Sequence, residues 1–271
     1  MSLVLVLINF YRFVALSDCD RWQQRLQDRC AALGLRGTIL LAPEGINASL
    51  VGDAEAIGQF LEELQQHPSF ANLNLKTAVV TDWPFARLKV KVKPEIVTLG
   101  HPELNPAERT GTLVAPQDWN QLLEDPEIVL IDVRNRFEIA LGSFPQAVDP
   151  QTDRFRDFPT FVQEQLLPQQ PAKVAMFCTG GIRCEKASAY LLEQGIETVY
   201  QLEGGILNYL EAIAPEDNRW QGDCFVFDER IAVDRQLQTP QHHLCEVCGQ
   251  PVVAATCSHC QDAAQADSSP R

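Results

Sequence analysis

The residues best suited to covalent chemistry lie in segment 177–184, which reads Phe-Cys-Thr-Gly-Gly-Ile-Arg-Cys. An apolar run before it predicts a buried strand, and the Glu-, Ala- and Leu-rich stretch after it predicts a helix. Cys178 would then end the strand, where loop N–H groups, the positive end of the helix and Arg183 all favour the nucleophilic thiolate. We predict Cys178 and Arg183 as catalytic residues. The alternative, a structural cysteine before a tight turn, accounts less well for the glycines and the arginine.

Further polar residues are expected at the same edge of the sheet. Strand 127–133 ends in Asp132-Val133-Arg134, and the carboxyl ends of parallel strands share one edge. Arg134 could pair with Glu138 one helical turn later, although a weak surface ion pair is the expected use of Glu138. Cys184 is either a resolving thiol or a small buried residue in the first helical turn. The predicted supporting residues are Asp132, Arg134, Thr179, Gly180, Gly181, Ile182 and Cys184.

A second chemical signal is a basic stripe in segment 85–93. Its residues alternate, so in a strand the apolar side chains would pack inward and the cations would project from one face. Lysines that protect an edge strand from aggregation would give the same pattern. However, these nine residues contain four cations and no acid, so the segment is locally positive in an otherwise acidic protein. Such a stripe suits binding to a phosphate backbone. The predicted RNA-binding residues are Arg87, Lys89, Lys91 and Lys93.

The C-terminal region carries two Cys-x-x-Cys pairs separated by eight residues. Two such pairs in a reducing compartment commonly supply four thiolates to a tetrahedral, structural Zn²⁺. Two redox pairs or a disulfide cluster are the alternatives, and redox pairs would normally lie on a βαβ unit. The spacing between the pairs is shorter than in common zinc ribbons. The predicted metal ligands are Cys245, Cys248, Cys257 and Cys260.

Length and composition restrict the remaining choices. A chain of 271 residues suits about two domains, and a net charge of −14 excludes general affinity for nucleic acid, so RNA contact requires a local basic patch. The first residues lack a basic region and a clear cleavage site, and no apolar run reaches the roughly 20 residues of a membrane helix. We therefore expect a cytoplasmic protein with no membrane partner, whose nine cysteines are reduced, catalytic or metal-bound.

Segment 1–93 predicts a small domain with the element order β-α-β-β-α-β, that of a ferredoxin-like α+β sandwich. Strands are expected at 3–13, 37–42, 46–51 and 73–80, before the basic strand. The helices follow Asp18 and Asp53, either of which can act as an N-cap. Residues 94–115 combine prolines and turn formers with little periodicity, which predicts a linker.

Segment 116–215 alternates strands and helices, which predicts a parallel-sheet α/β domain with helices on both faces. Helices are expected at 116–123, 136–141 and 160–166 and, after the pair Gly204-Gly205, in a last segment up to residue 212; strands are expected at 127–133, 173–177 and 198–202. A C-terminal extension, 216–261, contains the cysteine knuckle. The tail 262–271 is rich in Ala, Gln, Asp and Ser and is expected to be disordered.

Several of these motifs resemble known families. The loop with four residues between cysteine and arginine, together with the motifs at 132–135 and 202–206, resembles a rhodanese domain. The related cysteine phosphatases have five residues between the cysteine and the arginine, which makes a wider loop that accommodates phosphate. The phrases at 37–47 and 87–100, which begin Gly-Thr-Ile-Leu-Leu and Arg-Leu-Lys-Val-Lys, are more specific. Together they resemble the tRNA uridine(34) hydroxylase family over about residues 1–215, in which a sandwich domain precedes a rhodanese domain.

The resemblance implies oxygen-dependent conversion of wobble uridine to 5-hydroxyuridine in tRNA, with Cys178 as the active residue and molecular oxygen as co-substrate. No phosphate fingerprint for a flavin or nicotinamide is evident, and the five histidines supply no clear 2-His-1-carboxylate iron site. Cys178 is therefore expected to participate directly, either by adding to the uracil ring or through an oxidised or persulfide sulfur. Two alternatives are a sulfurtransferase that carries a persulfide on Cys178 and a non-catalytic RNA-binding module.

Overall fold

The computed structural model describes residues 4–71, 73–252 and 260. The chain forms two compact units, which divide between Thr110 and Gly111. The elements of the first unit are strand β1 (Leu5–Phe13), helix α1 (Cys19–Ala32), strands β2 (Arg36–Ala42) and β3 (Gly45–Asp53), helix α2 (Ala54–Gln65), and strands β4 (Asn74–Val80) and β5 (Leu88–Val92).

The first unit has the predicted ferredoxin-like order of elements. Its sheet has the strand order β4-β1-β3-β2-β5, in which β5 is parallel to β2 and the other pairs are antiparallel. Helices α1 and α2 cover one face, where Ile8, Phe10 and Ile39 join the core. Asp18 and Asp53 precede the two helices as predicted, but neither makes a side-chain capping bond. Asp18 has a left-handed backbone (φ 55°) instead of the extended conformation of an N-cap.

Residues 88–92 of the basic segment form strand β5 at one edge of this sheet, so the strand is shorter than predicted and Arg87 and Lys93 lie just outside it. Val90 is buried, whereas Lys89 and Lys91 on either side of it are exposed, so the predicted alternation is confirmed. The side chain of Gln23 on α1 donates a hydrogen bond to the Val90 carbonyl (Nε2 to O, 2.8 Å). A helix side chain thus occupies a backbone acceptor of this edge strand.

Residues 94–104, predicted as part of a linker, pack against the first unit. Ile96, Leu99 and Leu104 are buried, and the amide of Asn47 on β3 donates to the Ile96 carbonyl at 3.2 Å. The buried carboxylate of Glu95 accepts hydrogen bonds from three successive backbone N–H groups at 99–101. Composition predicted a loop here, but its few apolar residues are enough to anchor it.

The second unit contains the predicted parallel sheet, in the order β6-β10-β9-β7. Strand β6 lies inside the predicted linker and was missed, because a three-residue edge strand has too short a pattern to read. Residues 155–169 form consecutive short helical turns. The elements are β6 (Thr112–Val114), α3 (Pro116–Leu122), β7 (Ile128–Asp132), α4 (Arg136–Ile139), β8 (Gly142–Ser143), α5 (Phe158–Phe161), β9 (Lys173–Phe177), α6 (Ile182–Glu193), β10 (Thr198–Leu202), α7 (Gly205–Ala212), β11 (Gln221–Gly222), β12 (Cys224–Phe225) and β13 (Ala232–Val233).

The predicted strand–loop–helix around Cys178 is confirmed: β9 ends at Phe177 and α6 begins at Ile182. Among the described residues, none of the helices is both long and apolar enough to span a membrane. The predicted disordered tail, 262–271, lies outside the described residues.

Candidate active site

Cys178 follows the central strand β9, at the centre of a tight loop. The loop reverses through Gly181, whose φ of 95° is a conformation that glycine adopts without steric cost. The Gly181 N–H donates to the Cys178 sulfur at 3.1 Å. Gly180 and Ile182 are half-buried in the same turn. The loop therefore presents backbone donors to one sulfur, as its sequence predicted.

The electrostatics of the loop favour a thiolate at residue 178. Burial alone raises the pKa of Cys178, but the Cys184 S–H, the Arg183 guanidinium and the N–H groups of both residues lower it to about 6. Burial and the neighbouring Cys178 sulfur raise the pKa of Cys184 well above its ordinary value. Cys184 therefore stays protonated and donates its S–H to Cys178. It is buried in the first helical turn, which agrees with the predicted structural alternative, and its role as a resolving thiol stays a prediction.

Arg183 is held by a buried carboxylate from another element. Its Nη1 and Nη2 atoms contact the two Glu138 oxygens at 2.6 and 2.7 Å, a bidentate ion pair. Burial alone would raise the pKa of Glu138, but Arg183 holds it below its ordinary range. The prediction of a weak surface pair for Glu138 was wrong, because Glu138 is completely buried and its charge faces Arg183.

Asp132 and Arg134 form a second buried ion pair beside the first. The Arg134 Nε and Nη2 atoms contact the Asp132 carboxylate at 2.9 and 2.7 Å, and Ser143 also donates to it. Arg134 also donates to the Gly142 carbonyl at 2.6 Å and lies over the Trp220 ring. The pair therefore connects the end of β7 with Gly142 and Trp220, which come later in the chain. Both charges are thus bound by protein groups, and we interpret the pair as support for the site.

Helix α7 fixes the carbonyl side of the cysteine loop. The N–H groups of Ile206 and Leu207 donate to the carbonyls of Cys178 and Thr179 at 2.9 and 3.1 Å. The helix approaches so closely that a Cβ on Gly205 would lie 2.4 Å from the Cys178 oxygen. The Gly-Gly pair at 204–205 was predicted only to precede the last helix. Two glycines before a predicted helix were the signal for this close approach.

The segment that contains β12 covers the loop, which the sequence analysis missed. Thr179 Oγ1 lies 3.4 Å from the Phe225 carbonyl, and the Phe227 ring lies over Arg183 at 5.7 Å. Cys178 has no solvent-exposed surface, whereas Phe227 is 63% exposed. The site is thus a closed thiolate cradle with an exposed aromatic side chain beside its arginine.

Three of the four predicted metal ligands come together. The sulfur atoms of Cys245, Cys248 and Cys260 all lie within 4.8 Å of one another. Gly249, with φ 72°, makes the tight turn between them and donates its N–H to the Cys245 carbonyl. Cys257 lies outside the described residues. A cluster of thiols at this separation fits the soft ligand set that Zn²⁺ takes in structural sites.

The four predicted RNA-binding residues belong to the first unit. Arg87, Lys89, Lys91 and Lys93 are all exposed. The strand places the alternate residues 89 and 91 on one face of the sheet.

Comparison with known proteins agrees with this architecture. The UPF0176 acylphosphatase-like domain matches residues 5–96, and the rhodanese-like domain matches residues 115–212. A protein of Synechococcus elongatus named tRNA uridine(34) hydroxylase is 87% identical over 98% of this chain and 99% of its own length. The chain belongs to the tRNA uridine(34) hydroxylase family. Family members of the same name from Synechocystis and Picosynechococcus are 52% and 48% identical, over 90% and 92% of this chain and 88% and 84% of theirs.

Proposed function

We propose that this protein hydroxylates the wobble uridine 34 of tRNA to 5-hydroxyuridine, with molecular oxygen as co-substrate and Cys178 as the reacting residue. The observation that carries the proposal is the buried Cys178 sulfur, which accepts a loop N–H and lies among a thiol and a guanidinium that lower its pKa to about 6. Family membership supplies the reaction, since the relatives are named for it. Arg183 is the second catalytic residue of this proposal.

A thiolate is suited to activate uracil at the carbon that is hydroxylated. Addition of the Cys178 sulfur to C6 moves an electron pair to C5, which then bonds to one atom of O₂. The other oxygen leaves as water, with two electrons and two protons from a two-electron reductant. Loss of the C5 proton expels the thiolate and restores the double bond. Arg183 and the loop amides stabilise the thiolate before attack and after expulsion, and Glu138 positions Arg183.

We further propose that the exposed cations Arg87, Lys89, Lys91 and Lys93 contact the tRNA backbone. Their exposure and like charge on an acidic chain support this role. We also propose that the cysteine cluster binds Zn²⁺, with Cys257 as the fourth ligand. The site would be structural, because four thiolates leave the metal no open position for chemistry.

A sulfurtransferase is the second candidate, favoured by the match of the rhodanese-like domain to residues 115–212. In that reaction Cys178 would accept sulfur as a persulfide and pass it to an acceptor. Oxygen separates the two reactions, because only hydroxylation consumes it.

The deciding experiment is nucleoside mass spectrometry of tRNA incubated with the purified protein and a thiol reductant, in air and under argon. We expect 5-hydroxyuridine in air, none under argon, and none with Cys178→Ser in either atmosphere. Product that persists with Cys178→Ser would exclude this cysteine. Thiolated nucleoside formed from thiosulfate under argon would favour the sulfurtransferase.

A further inference from the structure

The first unit carries a line of polar residues across its whole sheet. Asn9 on β1 is paired with Lys76 on β4 and with Ser49 on β3; Ser49 is paired with Thr38 on β2, and Thr38 with Lys89 on β5. We call these five residues the polar row. Since adjacent strands are about 4.8 Å apart, the row is on the order of 20 Å long.

The polar row lies on the face of the sheet that the helices do not cover. The residues before and after Asn9 and Thr38 include Ile8, Phe10 and Ile39, which pack in the core with α1 and α2. Because successive side chains of a strand point to opposite faces, the row points away from that core. Its members are half-buried or, in the case of Lys89, exposed.

Two other segments border the polar row and make it the floor of a groove. On one side, Trp83 packs against the cluster of Leu5, Leu7 and Val51, and Val51 is two residues from Ser49 and hence on the same face. Arg36 lies over the Trp83 ring at 4.2 Å. On the other side, Ile96 lies against Asn47, again two residues from Ser49. The groove therefore has a polar floor and a stacked guanidinium and indole on one wall.

We infer that this groove binds single-stranded RNA, as an extension of the basic strand β5. The inference rests on the proposed function for its choice of tRNA, so the occupant is the unpaired anticodon loop. Lys76 and Lys89 place a cation at each end of the row, and no member of the row is acidic in a chain of net charge −14. The amide and hydroxyl groups between them suit base edges and 2′-hydroxyl groups. Unpaired bases can spread on such a surface, whereas paired bases hide their edges.

The test is binding of a fluorescent anticodon stem-loop RNA to the full chain, measured by anisotropy at several salt concentrations. The double variant Lys76→Gln/Lys89→Gln removes the end cations, and Thr38→Glu places a like charge in the middle. The matched control is Arg21→Gln/Arg25→Gln, which removes two exposed cations from helix α1, on the opposite face. Thermal unfolding of each variant confirms that it is folded.

We expect the double variant to make the negative slope of log K against log salt less steep by about 1.4, and to weaken binding roughly 25-fold at 0.1 M salt. Thr38→Glu should also weaken binding, the control should not, and a fully paired RNA hairpin should compete poorly. Three results would each overturn the inference: the folded sheet variants bind as tightly as wild type, the control loses as much affinity as they do, or the duplex competes fully. Since no turnover is measured, failure of the hydroxylation proposal would leave this result interpretable.

Discussion

Glu138 and Arg183 are joined by two hydrogen bonds of 2.6 and 2.7 Å inside the second unit. Glu138 comes from the short helix α4, and Arg183 from the first turn of α6 after the cysteine loop. A carboxylate with no exposed surface therefore holds the guanidinium whose charge helps to lower the pKa of Cys178.

We expect Glu138→Gln to lower the free energy of unfolding by about 3–5 kcal/mol, because it leaves the buried Arg183 charge without its partner. Urea denaturation measures the loss. Glu127→Gln is the control, since Glu127 forms an exposed ion pair with Lys173 and its replacement should change little. Equal stability of the two variants would contradict a structural role for the buried pair.

Cys178 should titrate far below an ordinary cysteine. The difference in 240 nm absorbance between wild type and Cys178→Ser should rise with pH around a midpoint near 6, as the thiol loses its proton. Cys184→Ala should move the midpoint upward, because it removes the S–H donor to the thiolate. Cys30 is a buried cysteine of the first unit, and burial raises its pKa to about 12. Cys30→Ala should therefore leave the midpoint unchanged. A midpoint near 9 in wild type would refute the thiolate cradle.

Gly205→Ala should displace the cysteine loop. The added methyl group would lie 2.4 Å from the Cys178 carbonyl, and the φ of +67° costs about 1–2 kcal/mol for an alanine. We expect lower stability and a higher thiolate midpoint in the same absorbance titration. Gly58→Ala, in helix α2 with open space around it, should be stabilised by about 0.5–1 kcal/mol. A Gly205→Ala variant with an unchanged midpoint would show that α7 does not set the loop geometry.

Phe225→Ala should make Cys178 react faster with iodoacetamide. In wild type the sulfur is ionised near neutral pH but fully buried, so access limits the reaction. The Phe225 ring contacts the rings of Phe137 and Phe227. Its removal should therefore loosen the segment that covers the loop. Peptide mass spectrometry locates the label, and Leu113→Ala, at an exposed edge-strand position, serves as control. An unchanged rate at Cys178 would mean that the reagent enters by another route.

The purified protein should contain about one zinc ion per chain, measured by elemental analysis. Cys245→Ser should lose most of it, because Cys245 is one of the clustered sulfurs. Cys19→Ser, which changes a half-buried cysteine of the first unit, should retain it. Retention of full zinc by Cys245→Ser would remove this residue from the ligand set.

The sequence predicted the elements whose patterns are local. The alternation of β5, the apolar run before Cys178 and the helix after it each have their own periodicity, and each forms near its predicted position. The Cys-x-x-Cys pairs predicted a cluster because ligand spacing is also a local property.

The contacts that complete the site are long-range and were not predicted. Glu138 lies 45 residues from Arg183, and Phe225 lies 46 residues from Thr179. Charge patterning suggested only the nearby partner Arg134 for Glu138. The covering segment has no motif, since it contacts the loop through a backbone carbonyl, which any residue has, and through an aromatic ring, which many sequences could supply.

The hydrogen bond from Gln23 to the Val90 carbonyl also affects self-association. An edge strand normally offers its unpaired backbone groups to neighbouring molecules and can begin fibre-like stacking. Here a glutamine amide occupies one of those groups at mid-strand, while the lysines on either side of Val90 repel a second copy. The molecule can thus leave its charged side chains open to solvent while its main chain is a poor template for aggregation.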